Sequence, residues 1–150
     1  MVEQRYLEPG WFTRNVFNRS VRRLTMMGIS VMGSRELSVR GRTSGEWRAT
    51  PVNLLTVAGE TYLVSPRGNS QWVRNLRVAG AGRLRVGRRT ELFTAQELSD
   101  DSKAVVLREY LRRWQWEVGV FFDGLNKDSS DADFAAAAPG FPAFRVLVTP

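Results

Sequence analysis

The sequence predicts a single α+β domain, residues 1–150, built on a mostly antiparallel sheet or small barrel with helices packed outside it. Three observations carry that expectation. About six short β-patterned runs follow one another, several at hairpin-length spacing. Amphipathic helical stretches stand before, between and after them. The strict strand-helix alternation of a doubly wound parallel sheet is missing. With 150 residues, 43% hydrophobic and 25% charged, the chain can bury one core and does not have the composition of a disordered one.

Residues 11–28, WFTRNVFNRSVRRLTMMG, set Phe12, Val16, Phe17, Val21, Leu24 and Met27 at near-helical spacing, with Arg14, Arg19, Arg22 and Arg23 between them. This is a basic amphipathic helix ended by Gly28, and residues 1–34 form an N-terminal helical segment. Two roles fit it: packing on the core with a solvated basic face, or contact with anionic lipid headgroups aided by Trp11 and Phe12. Strand-like runs follow at Glu36–Val39, Ala49–Val57 and Thr61–Ser65, the last two joined through Ala58-Gly59-Glu60. Pro66-Arg67-Gly68-Asn69 breaks the third run. A short helix over Gln71–Val78 then starts from Asn69 or Ser70 as N-cap, and Ala-Gly-Ala-Gly at 79–82 ends it. Arg83–Val86 and Thr90–Gln96 form a hairpin around Gly87-Arg88-Arg89. Ser99-Asp100-Asp101 opens the longest helix, with its acidic residues in the first turn where the helix dipole favours them. Val105, Val106, Leu107, Leu111 and Trp114 supply its apolar face as far as Val118. After a polar loop over 123–133, Phe134–Ala138 adds a helical turn and Phe144–Thr149 a last strand.

Composition excludes several chemistries. The chain has no Cys and no His, which removes disulfides, thiolate nucleophiles, Ser-His and Cys-His catalytic arrangements and zinc sites of the Cys/His type; no metal site is expected. The net charge is +7, and of 22 basic side chains all but Lys103 and Lys127 are arginine, the residue that grips phosphate and carboxylate bidentately. An anionic partner is implied: nucleic acid, a membrane surface or a polyanionic small molecule. Basic residues are spread over many elements without a recognised nucleic-acid motif, so no nucleic acid is expected. No apolar run has the length of a membrane span and the first ten residues lack the core of a secretory signal. The expected location is the cytoplasm, with membrane association through residues 11–28 as the alternative.

Two stretches carry chemistry. In RGRTSGEWRATP, residues 40–51, neither GxxxxGK[ST] nor GxGxxG is present. What remains is Arg42, the hydroxyls and amides of Thr43 and Ser44, and Arg48: enough for a phosphate clamp, and equally the content of a solvated hairpin tip. In SPRGNSQWVRNLR, residues 65–77, Arg67 stands near the start of the short helix, where dipole and free amides favour an anion. Trp72, Asn75 and Leu76 share a face of that helix. Trp72 and Leu76 suit the core, whereas Asn75 on a buried face requires a polar partner, either a neighbouring turn or a ligand.

Taken in order and spacing, GRTSGEWRATPV, SPRGN and QWVRNL resemble the deazaflavin-dependent nitroreductase family of split β-barrel flavoproteins, which carry GRKSGxxRxxP, a strand pair, S-[KN]-G-G and WYxNL. The likeness covers residues 11–98, weakens through the last long helix and returns in PGFPAFRVLV. It implies a split β-barrel and coenzyme F420, a deazaflavin whose tail carries a phosphate, a lactyl group and several glutamates; FMN is the alternative cofactor on the same fold. It further implies that Arg42, Thr43 and Ser44 bind the tail phosphate, with Arg48 reaching phosphate or carboxylates. Pro51, Val52 and Asn53 would line the ring edge, Ser65, Pro66, Arg67 and Gly68 the opposite wall, and Trp72 and Asn75 would complete the site.

The chain also departs from the family pattern. Thr43 stands where a lysine is usual, so one tail contact is lost unless Arg40 or Arg67 supplies it. Asn69 replaces the second glycine of the loop and tolerates positive φ. The tyrosine-rich substrate segment has no counterpart, which leaves Tyr110, Trp114, Trp116, Phe121, Phe122 and Phe134 as substrate-pocket candidates. The implied activity is hydride transfer from the reduced deazaflavin to a planar electron-poor acceptor: a quinone, enone or nitroaromatic. The alternative is a cofactor- or lipid-binding protein on this fold without turnover; a homodimer is left open.

Overall fold

Strands β1 (Ser34–Arg40), β2 (Trp47–Val57), β3 (Glu60–Val64), β4 (Ala81–Val86), β5 (Arg89–Glu97) and β6 (Ala143–Val148) close into an antiparallel barrel with neighbours in the order β1-β2-β3-β6-β5-β4. The computed structural model describes residues 34–86, 88–122 and 124–149. The helix expected over residues 11–28, and with it the lipid contact, lies outside these residues. Closure comes from β1, which pairs with β2 from Ser34↔Asn53 to Arg40↔Trp47 and with β4 through Leu37↔Leu84. Helix α1 (Gln71–Ala79) connects β3 to β4, while α2 (Ala104–Val118) and α3 (Asp131–Ala137) lie between β5 and β6. Among the described residues no helix is long and apolar enough to cross a membrane.

The period-two alternation of the strands divides the apolar residues between two cores. Inside the barrel Leu37, Val39, Leu63, Leu84, Phe93, Phe144 and Val146 pack together, joined by Val73 and Leu76 of α1. The intervening positions Leu55, Val64 and Ala143 face outward and meet α2 through Val106, Leu107, Tyr110, Leu111 and Trp114. β2, β3 and β6 are therefore apolar on both faces, as consecutive pairs such as Leu54-Leu55 and Leu63-Val64 show. α1 is the one described helix that contributes to the interior core.

Several boundaries shift by one to three residues from expectation, among them β2, which starts at Trp47, and α3, which starts at Asp131 inside the expected polar loop; two differences have a tertiary reason. Ala-Gly-Ala-Gly reads as a break in the chain, yet β4 starts at Ala81. Gly82 lies opposite Phe93, and a Cβ there would sit 2.8 Å from the Ser38 carbonyl oxygen and 3.0 Å from the Phe93 ring. The missing side chain makes room for the aromatic ring and for β1. Asp100 and Asp101 read as the first turn of the long helix. They instead form a separate 3₁₀ turn, Asp100–Ser102, before α2. The buried Lys103 holds it there: its Nζ donates to Asp100 Oδ1 at 2.8 Å and to the Ala138 carbonyl at 3.0 Å.

Gly82→Ala is expected to destabilise the barrel by about 1–3 kcal/mol, the usual cost of overpacking. Thermal unfolding followed by circular dichroism should show a melting temperature lower by roughly 3–10 °C. An unchanged value would mean that β1, β4 and the Phe93 ring do not approach as described.

Candidate functional site

The β1–β2 connection folds back on itself. The Gly41 amide donates to the Glu46 carbonyl at 2.7 Å and the Gly45 amide to the Gly41 carbonyl at 2.9 Å. Gly45 takes φ +74°, which a side chain would strain. The Ser44 hydroxyl accepts from the Glu46 amide at 3.1 Å, so it serves the turn as well as facing outward. Arg40 closes the outside of the turn: its Nη1 donates to the Gly45 carbonyl at 2.9 Å, and its guanidinium lies 4.6 Å over the Trp47 ring, which Arg83 also covers at 3.6 Å. Arg40 is thereby committed to the back of the turn.

The opposite wall is the β3–α1 loop. The Ser65 hydroxyl donates to the Gly68 carbonyl at 2.6 Å, and the Ser65 amide to the Pro142 carbonyl at 2.9 Å. Gly68 carries the positive φ of this loop, and Asn69 does not share it. Asn69 instead anchors the loop through its side chain. Its buried Oδ1 accepts from Arg77 Nη1 at 2.5 Å, while Arg77 Nε and Nη2 grip Glu97 at 2.8 and 2.7 Å. One arginine on α1 thus ties the loop to the end of β5. Nothing in the local pattern of residues 65–77 points to Arg77.

Between the two walls stands the amino end of α1. Ser70 precedes it without a side-chain capping bond, and no acidic residue occupies the first turn. Its hydroxyl oxygen is buried and lacks a hydrogen-bond partner. Asn75, one turn further on, is 5% exposed. Its Oδ1 accepts from the Arg42 amide at 3.0 Å and from Arg42 Nη1 at 2.9 Å, and Gln71 Oε1 accepts from the same Nη1 at 2.9 Å. The polar partner that Asn75 requires is the neighbouring glycine turn. Gln71 lies four residues before it on the same helical face, a spacing the sequence displays.

A cleft of about 680 Å³ opens here, with Arg42, Thr43, Ser44 and Arg48 on one side and Arg67 and Trp72 on the other. Ser70, Gln71 and Asn75 complete its α1 side, and Val39, Gly41, Ala49 and Thr50 its β1–β2 side. Of the expected residues, Pro51, Val52, Asn53, Ser65, Pro66 and Gly68 are not among those lining it. Val52 packs on the interior core, and Ser65 and Gly68 shape the loop behind Arg67. Of β2, Arg48, Ala49 and Thr50 line the cleft. Among the described residues no carboxylate lines the cleft; Glu46 bridges to Arg48 at 3.8 Å, with both side chains well exposed at 75% and 64%. Among the described residues no group of His, Cys, Asp or Glu could hold a metal ion.

Five of the six aromatic substrate-pocket candidates do not line this cleft. Tyr110, Trp114, Phe122 and Phe134 are buried in the outer core, and Phe121 packs against it. Tyr110 meets Trp114 at 5.0 Å between ring centroids, and Phe122 stacks on Phe141 at 4.2 Å. Burial of these rings against β2, β3 and β6 accounts for their number without a substrate. Trp116 belongs to α2, and its side chain lies outside the described residues.

The cleft suits an elongated anion. Three arginines face it with no carboxylate among the described residues that line it, and a buried hydroxyl in its wall lacks a partner. A closed six-stranded antiparallel barrel with such a cleft beside a glycine turn defines a protein of the split-barrel fold. Residues 11–118 match the F420H(2)-dependent quinone reductase family, and the chain belongs to that family. Its cofactor is coenzyme F420, and the protein is an F420-dependent reductase.

Solved structures agree on the fold. A chain described as a domain-swapped dimer superposes with a TM-score of 0.54 at 15% identity, covering 85% of this chain and 94% of its own. An F420-H2 dependent reductase (FDR-A) gives 0.53 at 16% identity, covering 76% and 93%. A protein related to general stress protein 26, of the pyridoxinephosphate oxidase family, from Clostridium acetobutylicum gives 0.51 at 14%, covering 77% and 75%. Comparison with curated proteins finds no match.

Arg77→Met should loosen the wall that carries Arg67. Limited trypsin digestion read by mass spectrometry is expected to cut after Arg67 several-fold faster in the variant, because the buried Asn69 oxygen loses its donor at about 1–3 kcal/mol. Equal rates of cutting would show that Arg77 does not hold the loop.

Proposed function

We propose that the protein reduces a planar, electron-poor acceptor, a quinone, enone or nitroaromatic, with F420 held in the arginine-lined cleft. The observation that carries the reading is the concentration of Arg42, Arg48 and Arg67 around a cleft that no carboxylate among the described residues lines. Arg42 and the Thr43 hydroxyl are assigned to the tail phosphate, and Arg48 to the phosphate or the glutamates beyond it. Arg67, on the facing wall, supplies the charge that Thr43 lacks in place of lysine. Arg40 is not given this role, because its guanidinium is held by Gly45 and Trp47 behind the turn.

Bound in its reduced form, the deazaflavin supplies a hydride from its central ring. The chain's own part is placement: the arginine cluster fixes the tail, Trp72 flanks the cleft, and α1 keeps the two walls at a set separation. Arginine is suited to this because its planar fork matches phosphate and carboxylate and stays charged at any working pH.

Fluorescence titration with F420, and in parallel with FMN, tests the assignment. Wild type is expected to prefer F420. Arg42→Ala should weaken F420 binding roughly tenfold to a hundredfold, the scale of a lost charge-assisted hydrogen bond, and the more exposed Arg48→Ala about two- to fivefold. Unchanged affinity in both variants would move the cofactor elsewhere. Oxidation of the reduced cofactor should be faster with quinones, enones or nitroaromatics present than in buffer; tight binding without such oxidation would favour a carrier over an enzyme.

A further inference from the structure

Arg42 is held in a way that decides which of its edges meets an anion. Its Nη1 group has two hydrogens, and both are engaged: one by Gln71 Oε1 and one by Asn75 Oδ1, each at 2.9 Å. Among the described residues Nε and Nη2 have no partner. These two nitrogens form the side edge of the guanidinium, with parallel N–H bonds that fit two oxygens of one phosphate or carboxylate. The acceptors that fix Arg42 are both neutral amides, which orient the cation without cancelling its charge. A carboxylate in either place would pair with Arg42 and compete with a ligand. The backbone amide of Arg42 is held by Asn75 as well, at 3.0 Å, so main chain and side chain are both set from α1.

We propose that Gln71 is a positioning residue, which together with Asn75 presents the Nε–Nη2 edge of Arg42 to the bound oxyanion. This rests on the cofactor reading above and refines it, because neither amide is then required to touch the cofactor. An arginine left unanchored in a cleft with Arg48 and Arg67 swings away from like charge, and must be ordered when the ligand arrives. Anchoring Nη1 beforehand removes much of that ordering. Gln71 is exposed at the first position of α1, so it can be changed with little effect on the fold, whereas Asn75 is buried and cannot.

A double-mutant cycle on the full chain, read by fluorescence titration with F420, tests this. Gln71→Met keeps size and helix preference while removing the acceptor. It is expected to weaken binding about three- to tenfold, the scale of one lost neutral hydrogen bond, with an unchanged melting temperature. In an Arg42→Ala background the same substitution should have no effect, since nothing is left to position. Gln71→Ala serves as a second variant and should behave alike. Equal weakening in both backgrounds would mean that Gln71 contacts the cofactor directly, and would overturn the proposal. No weakening in the wild-type background, while Arg42→Ala still weakens binding, would also overturn it and leave the site standing. No effect of Arg42→Ala would remove the site, and the positioning role with it.

Discussion

Asn75 lies on the face of α1 turned toward the barrel, where an amide oxygen without partners would cost several kcal/mol. It is satisfied by the Arg42 amide and guanidinium, so the need to pair a buried group fixes the β1–β2 turn against α1. Arg77 does the same at the other end of the helix by holding Asn69 and Glu97. α1 is in turn held by Val73 and Leu76 in the interior core. The separation of the two cleft walls is therefore set by the core packing of α1 together with the bonds of Arg42 to Asn75 and of Arg77 to Asn69.

The barrel itself delivers charge to this end. Residues of β2 on the inward face run Leu54, Val52, Thr50, Arg48, as their pairing with Leu63, Arg35, Leu37 and Val39 places them. Leu54 and Val52 pack with the interior core, while Thr50 and Arg48 line the cleft. A single strand thus passes from apolar packing to ligand-facing polarity within four inward positions, and the alternation that builds the core also aims Arg48. The outward face of the same strand follows a different logic: Leu55 joins the second core, and Trp47 is covered by Arg40 and Arg83.

Much of this was legible in the sequence. Strand positions follow from period-two alternation, which survives in any tertiary context, and the glycine turn from its Gly-flanked arginine. Requirements could be read even where partners could not: Asn75 needed a partner, and the structure supplies Arg42. What remained hidden depends on long-range approach. Gly82 reads as a breaker until Phe93 is seen to pack over it, and Asp100 reads as a helix start until the buried Lys103 claims it. The aromatic residues from Tyr110 to Phe134 have the composition of a binding pocket and of a core alike. Only the second apolar face of β2, β3 and β6, itself visible as paired apolar residues, explains which they are.

The cleft is assembled against electrostatic preference. Like charges held together repel, and three arginines share this cleft with no carboxylate among the described residues that line it. Elsewhere on the molecule arginines meet acids: Arg77 with Glu97, Arg108 with Asp131, Arg145 with Glu60. Acidic residues were thus available, and the chain places neutral amides beside Arg42 instead. A site that used Asp or Glu there would be more stable empty and weaker toward an anion. With Gln71 and Asn75 in those places, the charge that balances Arg42 has to come with the ligand, and the energy of that pairing becomes part of its binding energy.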